Sequence, residues 1–189
     1  MRLVFNIKQV WMNSYGAFIQ FLVTFFSIIL STKAGRVQRL LLRSVRVVIS
    51  GPIFIGRNVT ISNPFNLFLG ERVAIGDGAM IACHAPIFIG DDFLAAPGLF
   101  LNSGSHNTST LEATRASIRI GARVWCGVRV TICAGVEIGD DAVIGAGAVV
   151  VKSIPSGAIA VGVPAKVIGK VDRSSREIHS WYTSESSES

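Results

Sequence analysis

The side chains best able to move a proton near neutral pH are three histidines, His84, His106 and His179. His106 stands in Leu101-Asn-Ser-Gly-Ser-His106-Asn, where an apolar pattern breaks and a polar loop begins. An imidazole beside such a loop can take the proton from a hydroxyl, a poor nucleophile until that proton is leaving. Asn102 and Ser105 either orient that ring and a bound substrate or cap a turn. His84, in Ala82-Cys-His-Ala-Pro86, reads from the residues alone as a corner histidine with a solvated ring. Cys83, Cys126 and Cys133 are too few and too central for a disulfide framework, and their apolar neighbours mark buried, reduced thiols. A nucleophilic cysteine needs an exposed, activated thiol, so covalent catalysis is not expected.

A repeat positions these residues. From Ile120 the chain reads Ile120-Gly121, Cys126-Gly127, Ile132, Ile138-Gly139, Ile144-Gly145, Val150, with an apolar residue every six positions. An earlier stretch keeps that period with shifts of phase: Ile55, Ile61, Leu67, then Ile75, Ile81, Ile87, then Ile89, Ala95, Leu101. Six is no multiple of 3.6, whereas apolar first and fifth positions give the two-residue alternation of a short strand. Each hexad is therefore a strand and a corner. Three close a coil of about 18 residues, and coils stack at about 4.8 Å. Ile138 then lies over Ile120, Ile144 over Cys126 and Val150 over Ile132, and the glycines suit corners that turn or need positive φ. Residues from Val48 to about Ile168 supply roughly six such coils once the excursion Asn107 to Ser117 is set aside.

The chain divides into an apolar and basic segment (1–47), the repeat domain (48–170) and a polar tail (171–189). Val10 to Leu30 carries no charge, marginal for a membrane-spanning helix. Lys33, Arg36, Arg39, Arg43 and Arg46 recur at helical spacing opposite Val37, Leu40, Leu41 and Val45. Residues 10–46 are thus expected to contact a membrane, by spanning it or lying on it, with the main domain on the cytoplasmic side. The other reading packs the apolar run on the domain or on a neighbouring subunit. A net charge of +6 admits nucleic acid, anionic lipid or a phosphate-bearing cofactor without choosing among them.

The IG-rich hexads and the ending Val163-Pro164-Ala165-Lys166-Val167-Ile168 resemble the hexapeptide-repeat acyltransferases, a superfamily of left-handed parallel β-helices. The resemblance spans about two thirds of the chain, from Ile53 to Lys170, and is most similar to the sugar O-acetyltransferases of the maltose, galactoside and surface-polysaccharide type. It implies an all-β fold of left-handed hand, and the residues ahead of it add an N-terminal apolar helical segment. It also implies a homotrimer with sites between neighbouring prisms, and acetyl-CoA as donor without a metal. Gly104-Ser105-His106 occupies the place of the family's general base. His84 falls near an acidic residue that contacts the acceptor in relatives, and Gly78 stands where many carry an asparagine, a departure that bears on the acceptor. Trp125 matches an aromatic at the acetyl end, or marks the trimer seam. Gly127, Gly145 and Ala146 would admit the pantetheine. Lys152, Lys166 and Lys170 would meet the nucleotide phosphates, or are solvated surface charges.

Direct transfer to a saccharide hydroxyl follows, the acceptor being a surface-polysaccharide precursor, lipid-linked where the N-terminus touches the inner membrane. No nucleic-acid partner is expected. The alternatives are a non-catalytic trimeric scaffold at the membrane and a lipid acyltransferase fed by acyl carrier protein. A zinc anhydrase on the same fold would need three converging histidines, and only His84 and His106 fall in the repeat.

Overall fold

The computed structural model describes residues 42, 43 and 47–172 of the chain. The apolar run 10–30, most of the basic stretch 33–46, and the tail from 173, with His179, lie outside the described residues. Strands of two to five residues run from Val48 to Lys170 and stack into three parallel sheets. The result is an all-β solenoid with a triangular cross-section, matching a left-handed β-helix.

The first face carries Val48–Ile49, Leu67–Leu69, Ile87–Ile89, Ile118–Ile120 and Glu137–Ile138. The second begins with Ile53–Ile55 and Val73–Ile75 and passes through Leu94–Ala95, Trp125–Cys126, Val143–Ile144 and Ala158–Val161. It closes with Lys166–Lys170, which turns back antiparallel onto Ala158–Val161. The third comprises Thr60–Ser62, Met80–Ala82, Phe100–Asn102, Thr131–Cys133 and Val149–Val150.

Register follows the hexads. Ile55, Ile75, Ala95, Cys126, Ile144 and Ala160 stack in one buried column, and Ile81, Leu101, Ile132 and Val150 in another. The third column is Ile49, Leu69, Ile89, Ile120, Ile138 and Ile154. Burying each isoleucine, leucine or valine of these columns contributes about 1.5–3 kcal/mol, and no single coil could do it alone. The N-terminal end is covered by Leu42 and Val47, both in this core. Arg43, grouped by spacing with the membrane-facing cations, instead donates a hydrogen bond to the Ile49 carbonyl at 2.8 Å.

Three sequence expectations need correcting. The first concerns phase. Partners in the early coils are 20 residues apart, as in Ile55 with Ile75 and Ile61 with Ile81, and return to 18 with Ile120 and Ile138. Leu69, not Leu67, continues the axial column; Leu67 lies with Ile87 and Ile118, one alternation earlier. The two extra residues therefore sit between the third and first faces, where the short 3-10 turn Pro64–Asn66 takes them up in the first coil. The second concerns the hexad glycines. Positive φ belongs to residues further into the corners, such as Arg72, Asp92, Arg123 and Asp141 (φ 53–63°). Gly121 is required for a different reason, because a Cβ there would come within 2.6 Å of the Asp140 nitrogen in the next coil. The third concerns Cys133, which is half-buried on the outer side of its strand, whereas Cys83 and Cys126 are fully buried. Burial pushes the Cys83 and Cys126 thiols up to about 12, so neither is a nucleophile at neutral pH.

Candidate active site at the corner between the third and first faces

The excursion from the repeat is a β-hairpin that starts earlier than the sequence suggests. Gly104–His106 pairs antiparallel with Ala113–Arg115, Gly104 facing Arg115 and His106 facing Ala113. Its base is closed by the Ala116 N–H to the Ser103 carbonyl at 3.0 Å. Its tip is shaped by Asn107, whose Oδ1 accepts the N–H groups of Ser109 (2.8 Å) and Thr110 (3.1 Å). His106 thus projects from the first arm rather than from the coil corner itself, and its side chain is exposed.

His84 sits in the bend Cys83–Pro86 of the preceding coil, at the same corner. Its ring lies against Gly104, where a Cβ would meet His84 Cδ2 at 2.6 Å. Gly104 and His106 are two apart on one strand and share a side, so the two histidines belong to one corner and one local surface. Ser105 lies on the opposite side of the arm. Asn102 is committed to the backbone, its Oδ1 accepting the Gly104 N–H at 3.0 Å. Asn66 supports the His84 bend from the other side by donating Nδ2–H to the Cys83 carbonyl at 3.1 Å.

Beneath both histidines lies a residue that sequence reasoning missed. Ser103 is completely buried and is the only buried polar side chain among the described residues. Its Oγ accepts the Ala85 N–H at 2.8 Å and lies 2.9 Å from the Ala85 carbonyl and 3.1 Å from that of Ala82. The available signal was its phase: Leu99, Leu101 and Ser103 alternate inward, and a serine in an apolar column needs partners.

The other site residues are placed elsewhere. Trp125 projects from the second face, 45% exposed, between Leu94 and Val143. Gly127, Gly145 and Ala146 form the corner between the second and third faces. A Cβ on Gly127 would meet the Ala146 nitrogen at 2.7 Å, so close coil stacking already requires that glycine. Ala146 is exposed, and beside it Gly147 (φ 70°) has open space where a Cβ would point. Lys152, Lys166 and Lys170 are all exposed at the C-terminal end, but at different corners of it. Lys152 follows the last third-face strand, Lys166 pairs with Val161 near the second-to-third corner, and Lys170 pairs with Ala158 at the far end of that strand. In a triangular prism the second face lies opposite the histidine corner. One chain therefore does not bring His84 and His106 together with Trp125 and Ala146.

A groove of about 730 Å³ runs down the first face, floored by Val48, Phe68 and Phe88. Phe68 and Phe88 stack at 4.8 Å, and the Arg119 guanidinium lies 4.4 Å over Phe88. Neither histidine lines it. Among the described residues no three of His, Cys, Asp and Glu gather to hold a metal, and no helix is long and apolar enough to cross a membrane.

No family model matches the chain. Among curated proteins, the galactoside O-acetyltransferase of Escherichia coli (strain K12) is 34% identical over 139 residues, covering 68% of this chain and 68% of the relative. WcaF of the same organism, provisionally named a colanic acid biosynthesis acetyltransferase, is 34% identical over 137 residues, 70% of this chain and 74% of its own. Among solved structures, galactoside acetyltransferase in complex with coenzyme A superposes with a TM-score of 0.78 at 26% identity, over 87% of this chain and 82% of that one.

Proposed function

Because the chain belongs to the hexapeptide-repeat acyltransferases, as an acetyltransferase whose donor is acetyl-CoA, we propose that it acetylates a sugar hydroxyl with His106 as general base. His106 takes the hydroxyl proton as the oxygen bonds to the thioester carbonyl carbon. The C–S bond then breaks, and the sulfur leaves with the proton that the imidazolium returns. No acyl-enzyme is needed, in keeping with the buried Cys83 and Cys126. Backbone N–H groups at the site stabilise the oxyanion between these steps.

The separation of the histidine corner from the second face carries the reading of how the site is assembled. His106 of one copy works against Trp125, Gly127, Gly145 and Ala146 of its neighbour in a homotrimer, so three equivalent sites form between prisms. The exposed Ala146 and the open space at Gly147 suit a donor lying close to the backbone there, and Lys166 at the same corner suits its phosphates. Lys152 and Lys170 lie at other corners and serve that role only by facing a neighbour. His84 contacts the acceptor beside the base, while Asn102 shapes the arm that carries it.

The acceptor class rests on the relatives and on the N-terminus. WcaF is named for colanic acid biosynthesis, which we read as pointing to a surface polysaccharide, and the uncharged run 10–30 followed by a basic stretch suits the cytoplasmic face of the inner membrane. A lipid-linked precursor of such a polysaccharide is the acceptor that meets both. The test is CoA release from acetyl-CoA by wild type and His106→Ala, supplied in parallel with free sugars, nucleotide sugars and lipid-linked saccharides. Release that depends on the lipid-linked arm and is lost in the variant supports the reading; equal turnover on free sugars removes the lipid-linked acceptor, and unimpaired His106→Ala removes the base.

A further inference from the structure

The corner that carries both histidines departs from the six-residue period in the first three coils, yet it is pinned by one buried hydroxyl. Ser103 Oγ accepts the Ala85 N–H and donates to one of the Ala82 and Ala85 carbonyls. The Ser103 N–H also bonds to the Ala82 carbonyl at 3.1 Å, and its own carbonyl receives Ala116 at the base of the hairpin. One residue thus ties the His84 bend on one side to the His106 arm on the other. The next residue, Gly104, is the surface on which the His84 ring rests, and it leaves no room for a side chain.

We propose that Ser103 is a positioning residue for the acceptor: by fixing the bend Ala82–Ala85 it seats the His84 ring on Gly104 and sets the spacing between His84 and His106. The inference rests on the reading of His106 as base and His84 as acceptor contact. A serine buried only to satisfy the bend would affect folding and both substrates alike. A serine that acts through His84 affects the acceptor and leaves the donor residues in place, since the neighbouring copy supplies them from a corner remote from its own Ser103.

The experiment is steady-state kinetics on full-length Ser103→Ala, His84→Ala, Gly104→Ala and the double variant Ser103→Ala/His84→Ala, with thermal melts as a check on folding. Ser103→Ala is expected to raise the acceptor KM roughly tenfold while the KM for acetyl-CoA stays within about twofold. The double variant should be no worse than His84→Ala alone, because the pin has nothing left to seat. Gly104→Ala, which displaces the ring with Ser103 intact, should reproduce the acceptor effect and carries the test if Ser103→Ala does not fold. An unchanged acceptor KM in both Ser103→Ala and Gly104→Ala, or Ser103→Ala and His84→Ala losses that simply add, overturns the proposal. His106→Ala, run alongside, separates the two failures: full turnover there discards the base, whereas a dead His106→Ala with a wild-type Ser103→Ala discards only the pin.

Discussion

Where the first face turns into the second, successive coils use one solution. Arg72, Asp92, Arg123 and Asp141 occupy the same left-handed position in four successive coils, and Arg72 pairs with Asp92 and Arg123 with Asp141 at 2.6–2.9 Å. The neighbouring carboxylates accept backbone N–H groups from the coil before, Asp91 from Glu71 and Asp140 from Ala122. Where the third face turns into the first, the coils differ: a 3-10 turn at Pro64–Asn66, a bend at His84, a hairpin from Gly104 to Arg115. At the regular corner charges are matched coil to coil, which leaves little for a ligand. At the irregular corner exposed imidazoles stand on a backbone held by Ser103, Asn66 and Asn102. Repetition supplies the stability, and departures from it carry the residues proposed for the chemistry.

That contrast can be broken from either side. The largest effect belongs to the irregular corner: His106→Ala should cut acceptor-dependent CoA release by about 10²–10⁴-fold without moving the urea midpoint. Loss of stability together with activity would make His106 a structural residue. Next comes the axis that both corners share. Ile144→Ala should cost about 2–5 kcal/mol in urea unfolding, since its column is filled above and below by Cys126 and Ala160. A cost below that range would mean that the column tolerates a cavity.

The smallest effect belongs to the regular corner. Hydrogen bonds from the Arg72 guanidinium hold the Asp92 carboxyl below the ordinary range, and at the second-to-third corner the Arg57 N–H and guanidinium do the same for Asp77. Because the unfolded chain binds protons more readily, this stabilisation is complete above the ordinary aspartate value of about 4 and is lost as pH falls through the lower folded values. Asp92→Asn should therefore cost under about 1 kcal/mol at neutral pH, these pairs being partly exposed, and should flatten the acid limb of a thermal-stability profile. A variant with an unchanged acid limb would show that the pair contributes nothing measurable.

The same contrast explains what could be read in advance. From Ile120 to Val150 the hexads give the register of the coils directly, because identical corners keep the period at six. The earlier phase shifts misled at Leu67, since two alternating inward residues, Leu67 and Leu69, look equally axial in a linear pattern. The break in the repeat beside His106 was legible, but not the place of that histidine on a hairpin arm, which depends on pairing with Ala113. Ser103 escaped notice because burial of a small polar residue leaves little trace in composition. The three lysines looked like one cluster because they are close in sequence, whereas the turn at Val163-Pro164 sends the last strand back across the second face.

The central claim is that the base and the donor groove come from different copies. Two variants, each expected to be inactive alone, test it: His106→Ala, lacking the proposed base, and Ala146→Trp, whose exposed position allows a bulky side chain to block the donor. The two are unfolded together, refolded at equal ratio and assayed for CoA release. Random mixing pairs an intact base with an intact groove in about a quarter of the sites of a trimer, so activity should return to about that fraction of wild type. Mixed oligomers that form and remain inactive would place base and donor in a single chain and contradict the account.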